Sequence, residues 1–118
     1  MKTFLAIYIG SAASMEKSKW NQLPEAERKQ REQAGIKAWG DWMTKHQAAV
    51  AVQGGPLGRT KQVNASGITD IRNNLTGFVV VRADSHEAAA RMFEGHPHFT
   101  IFPGESVEIM ECLPIPGQ

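Results

Sequence analysis

Two segments, "TFLAIYI" (3–9) and "TGFVVVRA" (76–83), restrict the fold more than anything else in this chain, because both read as strands and both are apolar on each parity. In the first, Leu5, Ile7 and Ile9 oppose Phe4, Ala6 and Tyr8; in the second, Phe78 and Val80 oppose Val79, Val81 and Ala83. A sheet with one wet face would alternate apolar with polar residues. These strands therefore belong to a sheet covered on both sides.

Helices supply only one cover. "LPEAERKQREQAGIKAWGDWMTKHQ" (23–47) predicts a long helix, with Pro24 near its start, Glu25 and Glu27 in the acidic first turn, and Ile36, Trp39, Met43 and the Val50 region on one buried face. Gly35 and Gly40 weaken that helix or let a neighbour approach closely. A second helix is predicted over 84–95, where Asp84 and Glu87 have capping-box spacing, Gly95 suits the left-handed position past the end, and Pro97 stops continuation. Residues 10–23 read as a polar loop. "AAVAV" (48–52) reads as a strand ended by the "GGPLG" turn, "TKQVNAS" (60–66) as a polar edge strand, 68–75 as a connection with room for a short pairing segment, and "SVEIMEC" (106–112) as the last strand before the extended "LPIPGQ". The order β-α-β-β-β-α-β is that of a ferredoxin-like α+β sandwich, with two helices on one face of an antiparallel sheet. The simplest cover for the other face is a second copy, giving a two-fold homodimer.

With 118 residues, all of 1–118 reads as one domain able to bury about two-thirds of its unfolded surface. Thirteen basic against twelve acidic residues leave a net charge of +1, no footprint for nucleic acid. No apolar run approaches about 20 residues, so no membrane span is expected. Lys2, a short apolar run and "SAAS" imitate a secretory signal, but the run is of minimum length, contains Tyr8 and alternates as a strand. The single Cys112 makes no internal disulfide and suits a reducing cytoplasm; near a strand end it reads as a buried, inert thiol.

The sharpest candidates for chemistry are His96 and His98, astride Pro97 in "EGHPHFTIFPG" (94–104). Imidazoles near neutral pKa move protons, and a carboxylate partner would fix their tautomer. The competing reading has His96 at the terminal carbonyls of the second helix and His98 packing in the loop. Asp70, Arg72, Asn73 and Asn74 form the dense polar cluster beside a central strand. Asp70 would orient a histidine, Arg72 or Lys61 would hold an anion, and Asn74 would contact the ligand; equally, "TDIRNNLTG" is turn chemistry. The "HPH" pair lacks the spacing and companions of a metal site, and no metal or cofactor is expected. Trp39 reads as core more than pocket, and His46 and His86 as solvated.

"MKTFLAIYIG", "AWGDWM", "GGPLG", "GFVVVRADSHEAAARMF" and, most specifically, "GHPHFTIFPGESVEIMECLPIPG" resemble the YCII-related family across Met1 to Gly117. The resemblance implies a ferredoxin-like subunit that forms a dimeric α+β barrel. It also implies a small-molecule-binding protein, in some members a proposed hydrolytic or dehalogenating enzyme with a His–Asp pair and no cofactor; a non-catalytic ligand-binding or accessory homodimer is the alternative. The "DGPF" sequence of one related branch is absent: "DIRNNLTGF" (70–78) stands in its place, with Asp70 matching the Asp and nothing matching Gly-Pro-Phe. The catalytic pair is therefore not transferred residue by residue.

Overall fold

The computed structural model describes residues 1–117; Gln118, the last residue of the expected tail, lies outside them. In chain order it contains β1 (Lys2–Ile9), α1 (Ala12–Ser18), a single 3-10 turn (Trp20–Gln22), α2 (Glu25–Lys45), β2 (Val50–Pro56), β3 (Thr60–Asn64), β4 (Gly67–Ile71), β5 (Leu75–Ala83), α3 (His86–Arg91), α4 (Pro97–Thr100) and β6 (Ser106–Glu111). The main sheet has the order β2-β5-β1-β6 with every neighbouring pair antiparallel. This is the expected ferredoxin-like α+β sandwich.

Strand parity sets what the sheet buries. On the helix side Phe4 opposes Val81, Ala6 opposes Val79 and Tyr8 opposes Gly77. Trp42, Ala89 and Phe93 close over these residues to form the core. The Trp42 indole N–H donates to the Met92 carbonyl at 2.7 Å and ties α2 to the end of α3. Leu5, Ile7, Phe78, Val80 and Met110 lie on the opposite parity, which no helix covers. Burying a side chain of this kind is worth roughly 1.5–3 kcal/mol, so leaving the row open forgoes much of what a core would gain.

Several elements differ from the sequence expectation. Residues 10–23 hold α1, started by a reciprocal cap in which Ser11 and Ser14 bond each other's backbone. Ser85, not Asp84, caps α3, accepting from the Ala88 amide. On α2 the buried positions are Gly35 and Trp42, while Ile36 is 67% exposed. Gly35 admits the Phe102 ring rather than the sheet. β2 continues through the glycines to Pro56, with irregular pairing between Val50 and Gly55. Cys112 is exposed, not buried.

The largest departure is the 60–66 segment. It is not an edge of the main sheet: β3 pairs with β4 in a separate two-stranded hairpin, in register Lys61↔Asp70 and Val63↔Ile68. This arm gives a radius of gyration of 16.3 Å, where a compact chain of this length has about 13.5 Å. The molecule measures 55 × 43 × 19 Å. Its accessible surface, 8392 Å², exceeds by about 2,000 Å² what a folded monomer of this mass exposes.

Candidate functional site

The site grows from the chain reversal after α3. Gly95 takes φ +69, as its position past the helix predicts, and His96 follows in extended conformation. His96 is not at a helix C-terminus: it is the N-cap of α4, with Pro97 in the first turn. Its Nδ1 accepts the His98 backbone N–H at 3.0 Å. An accepting Nδ1 leaves the neutral ring's proton on Nε2, which faces the Tyr8 hydroxyl across a long 3.4 Å contact. Tyr8 thus accepts from His96, and its own O–H has no protein acceptor among the described residues.

Both imidazoles are interior. His96 is 0% exposed and His98 7%. Trp39 meets the His96 ring edge-on at 4.5 Å between centroids, with Trp42 at 5.0 Å and Tyr8 at 5.1 Å. His98 Nε2 donates to the Ile9 carbonyl at 2.7 Å. A Cβ on Gly104 would collide with the His98 ring and carbonyl, so glycine there is a condition of seating the imidazole.

Burial pushes the His96 pKa down to about 4, with the neighbouring His98 and His46 acting in the same direction. His98 is also lowered by burial, partly offset by hydrogen bonds of its ring to the Ile9 and Ser106 backbone. Burial raises the Tyr8 pKa. At neutral pH the cluster is therefore uncharged. Its accessible chemistry is hydrogen-bond donation from Tyr8, backed by a neutral imidazole.

A cavity of about 640 Å³ opens between α2 and the ends of β1, β2 and β5. Tyr8, Ile36, Trp39, Phe78, Thr76 and Phe102 line it together with the β2 backbone, and Tyr8 is its single ionisable lining residue. The histidines stand behind Tyr8 and Trp39. Trp39 is therefore at once part of the packing and a wall of the cavity.

The other expected site residues lie apart. Asp70 is on the hairpin, where Lys61 Nζ donates to its Oδ1 at 2.7 Å, and both side chains are exposed. No hydrogen bond joins Asp70 to either histidine among the described residues. Lys61, Asp70 and Arg72 border a second, open groove of about 1010 Å³ that shares Thr76 with the first cavity. Asn74 lines neither; its carbonyl accepts from the Gly10 amide at 3.0 Å, while Asn73 makes the local turn bond to Leu75. His46 lies tilted against Trp42, and His86 stacks on Phe4 and donates to the Ile109 carbonyl, so neither is merely solvated. Tyr8 itself is absent from the sequence-derived candidates. Its signal was a hydroxyl on the buried parity of β1, where aliphatic residues would be expected.

The open ferredoxin-like sheet and a cavity between sheet and helix define an α+β subunit of the ferredoxin-like fold. Among solved structures, one with the same fold is 5-chloro-2-hydroxyhydroquinone dehydrochlorinase (TftG) from Burkholderia phenoliruptrix AC1100, determined in complex with 2,5-dihydroxybenzoquinone. Its TM-score is 0.50 and its sequence identity 16%, over 92% of this chain and 90% of that one. No protein-family model and no curated protein sequence matches the chain. No helix among the described residues is long and apolar enough to cross a membrane.

Proposed function

We propose that this chain is a YCII-related protein that binds a small ring-shaped organic molecule in the 640 Å³ cavity and works as a homodimer. The observation that carries the reading is the Tyr8 hydroxyl: it sits in an apolar, aromatic-walled cavity, is held by a buried imidazole, and has a proton with no protein acceptor among the described residues. A cavity of this size with few polar groups suits a small organic ligand. Trp39 and Phe102 would flank a ring while Tyr8 donates to a carbonyl or phenolate oxygen. Lys61 and Arg72, reached across Thr76, would take an anionic substituent. That the structural neighbour was solved with a dihydroxyquinone fits such a ligand.

The same donor supports an enzymatic reading without a cofactor, in which Tyr8 steadies charge developing on a substrate oxygen during proton transfer. His96 then positions Tyr8, since its Nδ1 is engaged and its Nε2 is protonated; His98 holds His96, and Asp70 stays with Lys61 instead of serving a histidine. Homodimerisation draws support from the uncovered apolar sheet face, and a reducing cytoplasm from the lone cysteine.

Calorimetric titration with hydroquinone and with 2,5-dihydroxybenzoquinone tests the proposal. Both should bind wild-type protein, Trp39→Ala should abolish binding, and Tyr8→Phe should weaken it about tenfold, the worth of one hydrogen bond in a dry site. Unchanged affinity in both variants would remove the cavity from consideration.

A further inference from the structure

The β3–β4 hairpin is without support from its own subunit. All its residues are exposed except Thr60 and Ile71 at its base, and among the described residues it packs extensively on no other element. A lone two-stranded hairpin is marginal in water. This one also carries two opposed β-branched residues, Val63 at 72% and Ile68 at 68% exposed, on the face that bears the Lys61–Asp70 pair. Residues 59–72 contain three basic side chains and one acidic. Arg59 and Arg72 make no salt bridge among the described residues.

The opposite edge of the sheet is its complement. Among the described residues β6 has β1 on one side and no strand on the other. Residues 105–117 contain Glu105, Glu108 and Glu111 and no basic side chain. Met110, Leu113 and Ile115 are exposed there. The hairpin leaves the sheet between β2 and β5, with β1 intervening before β6, so it springs from the far side of its own subunit.

We infer that the hairpin is an exchange arm whose occupant site is the β6 edge of a second copy of this chain. Val63 and Ile68 pack on the partner subunit's Leu113 and the partner's Ile115, and Arg59 and Arg72 face the partner's Glu108 and the partner's Glu111. The inference rests on the homodimer proposed above and adds to it a second contact outside the sheet faces. The arm and edge occur once per chain, so a two-fold axis satisfies both arms with the same contact. The surface excess of about 2,000 Å² per chain exceeds the roughly 800 Å² each partner gives to an ordinary stable interface, leaving room for arm and face together.

The test uses two surface variants of the full chain and sedimentation equilibrium. Arm variant Arg59→Glu/Arg72→Glu and edge variant Glu108→Arg/Glu111→Arg should each raise the dimer dissociation constant about tenfold or more by placing like charges together. Mixed in equal amounts they should form a heterodimer of near wild-type affinity, because both arm-to-edge contacts are then oppositely charged. Circular dichroism checks that each variant is folded. In the wild type, amides of 60–71 should exchange slowly and lose that protection on dilution to monomer. A wild-type dimer unaffected by either variant, with freely exchanging hairpin amides, overturns the arm and leaves the dimer standing. A wild-type chain that stays monomeric overturns both.

Discussion

Protonating His96 would remove the Nδ1 acceptor that starts α4 and place a charge among Trp39, Trp42 and Tyr8. The folded chain resists this, with a His96 pKa of about 4 against about 6.5 for a free imidazole. Because the unfolded chain takes the proton first, stability is fully present above pH 6.5 and is lost as pH falls from there toward 4, by about 3 kcal/mol in all. Urea unfolding between pH 7.5 and 4 should show this loss, and a flat profile would mean His96 is reached by water. Gly104→Ala should cost roughly 1–3 kcal/mol by evicting His98, and the His98 NMR titration should move up toward that of a free imidazole; an unmoved titration would show the ring still seated. The histidines announced themselves in sequence because two imidazoles around a proline are conspicuous. Their roles did not, since His98 donates to a strand carbonyl 89 residues away and His96 meets the Tyr8 hydroxyl across 88. Asp70 was legible as a carboxylate, but nothing along the chain shows that the hairpin register sets it against Lys61.

Among the elements, α2 offers a comparison decided by magnitude. Helix propensity alone predicts that Gly35→Ala and Gly40→Ala each stabilise by about 1 kcal/mol. At Gly40 a methyl meets nothing within 4 Å, so the gain should appear. At Gly35 it collides with the Phe102 ring, and overpacking of roughly 1–3 kcal/mol should turn the gain into a loss. Thermal melts of the two variants should therefore shift in opposite directions; a shared rise would mean Phe102 yields freely. Strands with two apolar parities and the 84–95 region were readable from periodicity. α1 was not, because none of its residues is buried and an exposed helix leaves no apolar stripe to read. The 60–66 segment was readable as a strand and 68–75 as room for a short pairing segment, but not that the two pair only with each other, since nothing in Lys61, Gln62 and Val63 excludes the edge of the main sheet.

At the scale of the whole molecule, the exposed side of the sheet is carried by Leu5, Ile7, Phe78 and Val80, whereas Val79 and Val81 belong to the core. Val80→Asp should convert the proposed dimer to monomer with the fold retained, since a carboxylate between apolar sheets is unpaired. Sedimentation of an intact dimer would refute face-to-face pairing. Val81→Asp should instead unfold the subunit. The 19 Å thickness has a calorimetric consequence. A plate of two layers hides less apolar surface than a rounded chain of equal mass, so unfolding the isolated subunit should show a heat-capacity increment below the about 1.4–1.8 kcal/mol/K usual for this length. The deficit should reappear as a negative heat capacity of association. Heat capacity thus divides the hydrophobic effect between the making of the subunit and the meeting of two.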